Sequence, residues 1–282
     1  MQIIKTVSEM RAFINGVRAQ NKTVGLVPTM GYFHQGHLSL MENAKRQCDV
    51  VVTSIYVNPL QFGPKEDLAS YPRDLQRDTE MAKTVGVDAI FTPEDKEMYP
   101  GGFDTTVVMG ETLTNKLCGS RRPGHFTGVA TVVIKLFNIA QPDRAYFGQK
   151  DAQQVLVINR MVQDLNINVE VVSVPIVREN DGLAMSSRNI YLTPAQRRVA
   201  PILYQSLLQA KEEVEKGQRD ATFIYSIVAD KIKSEPLAEV DYVELYSYPD
   251  LKSIGTLKEK ALLAVAVKFG GARLIDNIIL EA

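Results

Sequence analysis

The chain has 282 residues, 45% of them hydrophobic, and 32 basic residues against 33 acidic give a net charge of −1. That length allows about two domains, and the even charge excludes the broad positive field needed to hold nucleic acid or an anionic membrane. Two cysteines, Cys48 and Cys118, make neither a Cys-x-x-Cys pair nor a disulfide framework, which points to a reducing cytoplasm. The opening Met1-Gln2-Ile3-Ile4-Lys5-Thr6 lacks the apolar core of a signal peptide. No run approaches the roughly 20 apolar residues that span a bilayer. The expectation is a globular protein whose ligands are small molecules.

In chain order, residues 8–20 carry a helical pattern, and the apolar, β-branched run at 23–27 reads as a strand. The chain then turns at Pro28 and Gly31 and enters a helix over about residues 36–48. Further strands are expected at 50–57, 89–92, 105–109, 145–147 and 169–174, alternating with helices at 75–85, 127–140 and 152–165. Such alternation implies parallel strands with both sheet faces covered. This predicts an α/β fold, with a doubly wound, Rossmann-like parallel-sheet domain over residues 1–176.

The pattern changes after Val177. Thr193-Pro194-Ala195-Gln196 reads as a capping box with proline at the first helical position, opening a helix that runs to Gly217. A second helix covers 222–233, and strands follow at 240–246, 261–269 and 274–280, the last two joined by Gly270-Gly271. Residues 177–282 are therefore expected to form a smaller α+β domain that closes over a ligand held by the first.

Common nucleotide signatures are missing: there is no Gly-x-x-x-x-Gly-Lys-Ser/Thr loop, no Gly-x-Gly-x-x-Gly after an early strand, and no Gly-x-Ser-x-Gly elbow. Two tracts remain, Pro28-Thr29-Met30-Gly31-Tyr32-Phe33-His34-Gln35-Gly36-His37 and Met185-Ser186-Ser187-Arg188. A helix start presents free N–H groups to an anion. Histidines three apart there share one side and can donate to one phosphate chain. Gly36 lets that chain come close to the backbone. Taken alone, the pair is better explained as two exposed or capped residues that fell three apart by accident.

These tracts resemble the nucleotidyltransferase superfamily that includes class I aminoacyl-tRNA synthetases. Together with Val57-Asn58-Pro59-Leu60-Gln61-Phe62, Tyr71-Pro72-Arg73, Arg122-Pro123-Gly124-His125-Phe126 and Phe147-Gly148-Gln149-Lys150-Asp151, they resemble the pantoate–β-alanine ligase (pantothenate synthetase) family over most of the chain. The resemblance implies a ligation in which (R)-pantoate and ATP give pantoyl adenylate and pyrophosphate, after which β-alanine displaces AMP. It implies ATP binding by Met30, Gly31, Tyr32, Phe33, His34, Gln35, Gly36, His37, Gly148, Gln149, Lys150, Asp151, Val177, Met185, Ser186, Ser187 and Arg188. It makes His34, His37 and Lys150 catalytic, with His37 the proton donor, and it implies a homodimer.

A pantoate carboxylate is ionised near pH 7, so the first step needs positioning and charge stabilisation rather than a base. Lys150 supplies a mobile cation and Asp151 a cap for the next helix; without the motif Lys150 would read as a solvated surface lysine. Ser186, Ser187 and Arg188 offer hydroxyls and a planar cation to phosphate, a set that ordinary turns also contain. By resemblance Gln61 and Gln154 bind pantoate, and their amides can donate to a carboxylate and accept from hydroxyls. Asn58, Tyr71, Arg122 and His125 are expected to shape or cover that pocket.

Mg²⁺ is expected with ATP, held by phosphates and water rather than by a protein cage. Asp78 is a possible contact, but no residue is assigned to the ion. Asp74 and Asp78, at helical spacing with Arg73 and Arg77, read as a charged helix face. Two rivals stand against this reading. One is a zinc hydrolase using the chain's only histidines, 34, 37 and 125. The other is a nucleotide-binding module without catalysis, which would need no proton donor.

Overall fold

The computed structural model describes residues 1–64 and 66–282. They form two compact units, residues 1–149 with 153–175 and residues 150–152 with 176–282. In the first unit the strands β1 (Gln2–Ile4), β2 (Val24–Thr29), β3 (Val50–Ile55), β4 (Ala89–Phe91), β5 (Arg144–Gly148) and β6 (Glu170–Val174) lie in the order β1-β4-β3-β2-β5-β6. Every pairing among them is parallel. From β2 the sheet grows through β3 to β4 on one side and resumes at β5 on the other. In open α/β sheets the carboxyl ends of the strands at such a reversal form the ligand crevice.

β2, β3 and β4 are almost wholly buried, as expected of parallel strands covered on both faces. On one face, α2 (Gln35–Gln47) and α3 (Leu75–Thr84) contribute Leu38, Met41, Ala44 and Ala82 to a core with Val27, Val51, Ile90 and Tyr146. α7 (His125–Ala140), buried along most of its length, shares no residue with that cluster. It packs on β2 and on α1 (Val7–Arg18). α8 (Ala152–Asp164) follows β5, and the short helices α4 (Asp95–Met98), α5 (Glu111–Thr114) and α6 (Leu117–Arg121) fill the stretch between β4 and α7.

The expected strand at 105–109 is not formed. Val108 is 74% exposed, and the Val107 N–H donates to the Thr131 hydroxyl at 3.0 Å rather than to a ladder. The outer strand of this sheet is instead β1, three residues paired with β4 from Gln2↔Ala89 to Ile4↔Phe91. Only Ile4 in it is buried, so it left no apolar run to read. β2 also continues through Pro28 to Thr29. β5 pairs with β2 only at Gly25 and Leu26, so the proline lies beyond that ladder, where its missing N–H is tolerated.

In the second unit β7 (Glu239–Ser247), β8 (Lys260–Phe269) and β9 (Ala272–Glu281) form an antiparallel sheet in chain order. Pairing of Phe269 with Ala272 leaves Gly270-Gly271 as a two-residue turn, with Gly270 at φ 59°. α10 (Ile202–Glu215) and α11 (Ala221–Lys233) bury Leu203, Leu207, Ile224 and Val228 against Leu263, Val265 and Phe269. The capping box at Thr193 is present: its hydroxyl accepts from Gln196 N at 3.4 Å and Gln196 Oε1 accepts from Thr193 N at 2.9 Å. The helix it opens, α9 (Pro194–Val199), is separate from α10. Pro201 divides the helix expected to reach Gly217, because it has no N–H for the helical ladder and its ring crowds the preceding turn.

Candidate active site

β2 delivers the chain into two consecutive left-handed residues, Gly31 at φ 86° and Tyr32 at φ 53°. A side chain at Gly31 would bring its Cβ within 3.0 Å of Asp78 Oδ2 and Ile55 Cγ2. The Thr29 hydroxyl accepts from Gly31 N at 3.2 Å and donates to Ser54 O at 2.5 Å. The N–H groups of Tyr32 and Phe33 each donate to the Asp78 carboxylate at 2.7 Å. Successive N–H groups turned to one side make an anion-binding nest, and here the chain's own carboxylate fills it. Asp78 is 1% exposed, and burial pushes its pKa up although both N–H bonds pull it down. Asp74 caps α3, accepting from Arg77 N at 3.0 Å. The reading of Asp74 and Asp78 as one charged helix face is therefore corrected: Asp78 points inward, where the N–H groups of Tyr32 and Phe33, partly and fully buried, need an acceptor. The Phe33 ring is fully buried.

His34 is the N-cap of α2. Its Nδ1 accepts from Gly36 N at 3.1 Å, and the Nδ1 of His37 accepts from His34 N at 3.3 Å. The result is a capping box built of imidazoles, with ring centroids 4.1 Å apart and planes at 38°. A backbone N–H can only donate, so each Nδ1 is an acceptor and the neutral ring carries its hydrogen on Nε2. The spacing of the histidines predicted their shared side. It did not predict that they cap the helix, which starts at Gln35 rather than Gly36.

Gln61 ends a 3-10 turn, Pro59–Gln61, capped by buried Asn58. Asn58 Nδ2 donates to Gln61 Oε1 at 3.2 Å and to Gly128 O at 3.1 Å, and Tyr99 Oη donates to Asn58 Oδ1 at 2.7 Å. Gln61 Nε2 lies 3.1 Å from Met30 Sδ, which ties this turn to the end of β2. α7 presses so closely here that a Cβ at Gly128 would run into the Leu60 carbonyl. His125 Nδ1 donates to Gln61 O at 2.8 Å, and Arg122 Nη1 faces His125 Nε2 at 3.0 Å. Arg122 also forks onto Glu66 with two contacts of 2.6 Å. Burial raises the Glu66 pKa, but the bonds and charge of Arg122 outweigh it and hold the carboxyl below its ordinary range. Asn58, Arg122 and His125 thus act on the backbone and amide of Gln61. Tyr71 is buried, edge-on to Phe62 at 6.1 Å.

Gln154 is half-buried on α8. Its neighbour Gln153 is a buried anchor that donates to Leu113 O and Lys116 O at 2.7 and 2.8 Å. An open pocket of about 980 Å³ at the carboxyl ends of β2, β3 and β4 is bordered by Met30, Gly31, Phe62, Arg73 and Asp78.

In the second unit Lys150 and Asp151 occupy the 3-10 turn Gln149–Asp151 that leads into α8, and their side chains pair at 3.2 Å. Asp151 is the last residue of this turn, directly before α8. Asn277 Nδ2 of β9 donates to Lys150 O at 3.0 Å. Beside it, Asp276 receives the fork of Arg178 at 2.6 and 2.9 Å, and Arg178 lies 3.6 Å from the Tyr204 ring centroid. Burial pushes the Asp276 pKa up, with Arg178 working the other way. Val177 O accepts from Met185 N at 3.0 Å, and Arg178 bridges Ala184. Two separately named stretches therefore form one short ribbon around Gly182, whose φ is 94°. The Ser186 hydroxyl accepts from Arg188 N at 3.2 Å and caps the 3-10 turn Ser187–Tyr191, in which Ser187 is buried. Arg178, Asp276 and Asn277 were not foreseen, nor was the inward direction of Asp78. Their partners lie 45 or more positions away in the chain, and only the fold reveals them.

Among the described residues no group of three or more His, Cys, Asp or Glu is placed to hold a metal ion, and His125 is occupied by Gln61 O and Arg122. This removes the basis for the zinc hydrolase. Among the same residues no helix is long and apolar enough to cross a membrane.

Comparison with known proteins agrees with this architecture. The family model described as pantoate-beta-alanine ligase matches residues 2–279. A pantothenate synthetase of Pelotomaculum thermopropionicum is 59% identical over 280 residues, 99% of each chain, and one of Acetivibrio thermocellus is 53% identical over 281 residues, 100% of each. The crystal structure of pantothenate synthetase from Thermus thermophilus superposes with a TM-score of 0.94 at 47% identity, covering 99% of both chains. That of the pantoate-beta-alanine ligase from Francisella tularensis, complexed with beta-gamma ATP and beta-alanine, gives 0.82 at 33% identity, covering 99% of this chain and 97% of that one. The chain belongs to the pantoate–β-alanine ligase family.

Proposed function

We propose that this enzyme joins (R)-pantoate to β-alanine in two steps. A pantoate carboxylate oxygen attacks the α-phosphorus of ATP, the α–β phosphoanhydride bond breaks, and pyrophosphate leaves pantoyl adenylate behind. The amine of β-alanine then attacks the acyl carbon, the bond to AMP breaks, and the amine's extra proton passes to solvent. The imidazole pair is the single observation that carries this reading. With each Nδ1 accepting from a backbone N–H, each ring carries its hydrogen on Nε2, a donor suited to phosphate oxygens whose charge grows as pyrophosphate departs. Lys150, Ser186, Ser187 and Arg188 supply further donors to the nucleotide.

Gln61 and Gln154 bind pantoate. Asn58 donates to Gln61 Oε1, which sets the Gln61 NH₂ beside Met30 Sδ at the end of β2, a donor that suits a carboxylate or hydroxyl oxygen. The nucleotide arrives with Mg²⁺, which neutralises phosphate charge when bound. The fit favours an ion carried by phosphates and water, since Asp78, the buried carboxylate of this turn, is engaged by two N–H groups. The enzyme works as a cytoplasmic homodimer, a reading supported by the family and by two buried thiols, Cys48 and Cys118.

The deciding experiment is exchange of labelled pyrophosphate into ATP without β-alanine. Exchange that requires pantoate demonstrates the adenylate. Pantothenate synthesis in the absence of any such exchange would mean a different order of bond making.

A further inference from the structure

We propose that Asp78 is a positioning residue for adenylation, clamping the N–H groups of Tyr32 and Phe33 so that the rings of His34 and His37 keep a single aim. The proposal rests on the reading of those two imidazoles as donors to the nucleotide. Asp78 stands 46 and 45 positions from the two N–H groups that it receives at 2.7 Å. Those groups belong to the residues immediately before His34, and Tyr32 is held at φ 53°, a conformation that L residues rarely adopt. The ring of Phe33 is fully buried in the core, so the chain enters His34 fixed by a carboxylate and by packing. His34 then passes the constraint on, because its own N–H is bonded to the His37 ring and the two ring centroids lie 4.1 Å apart, tilted by 38°.

The chemistry requires a carboxylate at this point. Each oxygen accepts one N–H, whereas an asparagine would turn its own NH₂ against one of the donors. The nearest charge is the Arg77 guanidinium, 3.9 Å from Oδ1, too long for a strong hydrogen bond. The carboxylate's short contacts are therefore the two amides. Filling the nest from within also keeps these amides off the nucleotide.

The chain's three histidines make the test direct. In ¹⁵N-histidine-labelled protein, His34 and His37 should each show an acceptor Nδ1 and a protonated Nε2. His125, whose Nδ1 donates to Gln61 O, should show the opposite tautomer and serves as the internal reference. Asp78→Asn is expected to mix the tautomers of His34 and His37 and leave His125 unchanged. In pantoate-dependent pyrophosphate exchange it should lower kcat roughly 10- to 100-fold with little change in the KM for pantoate. Combined with His37→Ala, it should cost no more than His37→Ala alone.

Unmixed tautomers in Asp78→Asn, or losses that multiply in the double variant, overturn the proposal. If Asp78→Asn does not fold, Gly31→Ala displaces the same carboxylate from above and must produce the same mixing. Should His37→Ala leave exchange intact, the reading of the site fails, while the tautomer measurement still decides the clamp.

Discussion

The turn that carries His34 and His37 and the ribbon that joins Val177 to Met185 are built from opposite kinds of contact. The turn depends on partners far along the chain: Ser54, 25 positions from Thr29, and Asp78, 46 from Tyr32. The ribbon is tied mostly to itself, through Met185 N to Val177 O, Arg188 N to Ser186 Oγ, and Asn189 to Ala184 and Glu179, no more than ten positions apart. Arg197 reaches back to Asp181 and Glu179 from 16 and 18 positions away, and the far exception is Arg178, whose fork reaches Asp276, 98 positions away. A loop held from a distance has its geometry set by the surrounding fold. A loop held locally keeps its shape with little help and can be altered with little harm.

The largest expected effect tests that exception. Arg178→Ala leaves Asp276, 3% exposed, without its cation, and denaturant unfolding should show a loss of about 3–5 kcal/mol. Equal stability of variant and wild type would place the ribbon wholly among local structures. Next, His37→Ala should slow pantoate-dependent exchange by roughly 100-fold or more, about 3 kcal/mol of transition-state stabilisation. A rise in the KM for ATP at constant kcat would instead make the ring a ground-state ligand.

A smaller, pH-dependent effect belongs to Glu66. Its folded pKa lies below the ordinary 4.5, so the stabilisation it contributes is complete above that value and is lost as pH falls through it towards the folded one. Wild type should exceed Glu66→Gln in unfolding free energy at pH 6 by on the order of 2 kcal/mol, and the gap should close in acid. A gap that widened on acidification would reverse the assigned direction. The smallest effect is on the local side: Ser186→Ala removes one cap and should cost about 1 kcal/mol in thermal unfolding. A much larger loss would show that the tract leans on distant partners as the histidine turn does.

The same contrast explains what was legible in the sequence. The strands at 24–29, 50–55 and 144–148 announced themselves because parallel strands buried on both faces must be apolar throughout. The Thr193 box and the Gly270-Gly271 turn are local chemistry, and both appear as read. β1 escaped because a three-residue edge strand needs only one buried side chain, Ile4. Residues 105–109 misled because alternation alone does not supply a neighbouring strand. In the site, the pairing of His34 with His37 follows from their spacing, while the partners of Asp78 and Asn277 follow only from how the chain is folded back upon itself. Gln153 and Gln154 look alike in sequence, yet one anchors the Leu113 and Lys116 carbonyls.

Because the first turn of α2 is closed by rings rather than by hydroxyls, the two side chains proposed as donors to the nucleotide are also the stoppers of the helix. On that proposal, deleting the His34 ring removes a stopper and a donor together. A serine at that position would restore the stopper alone, which makes His34→Ser the exchange that separates architecture from turnover.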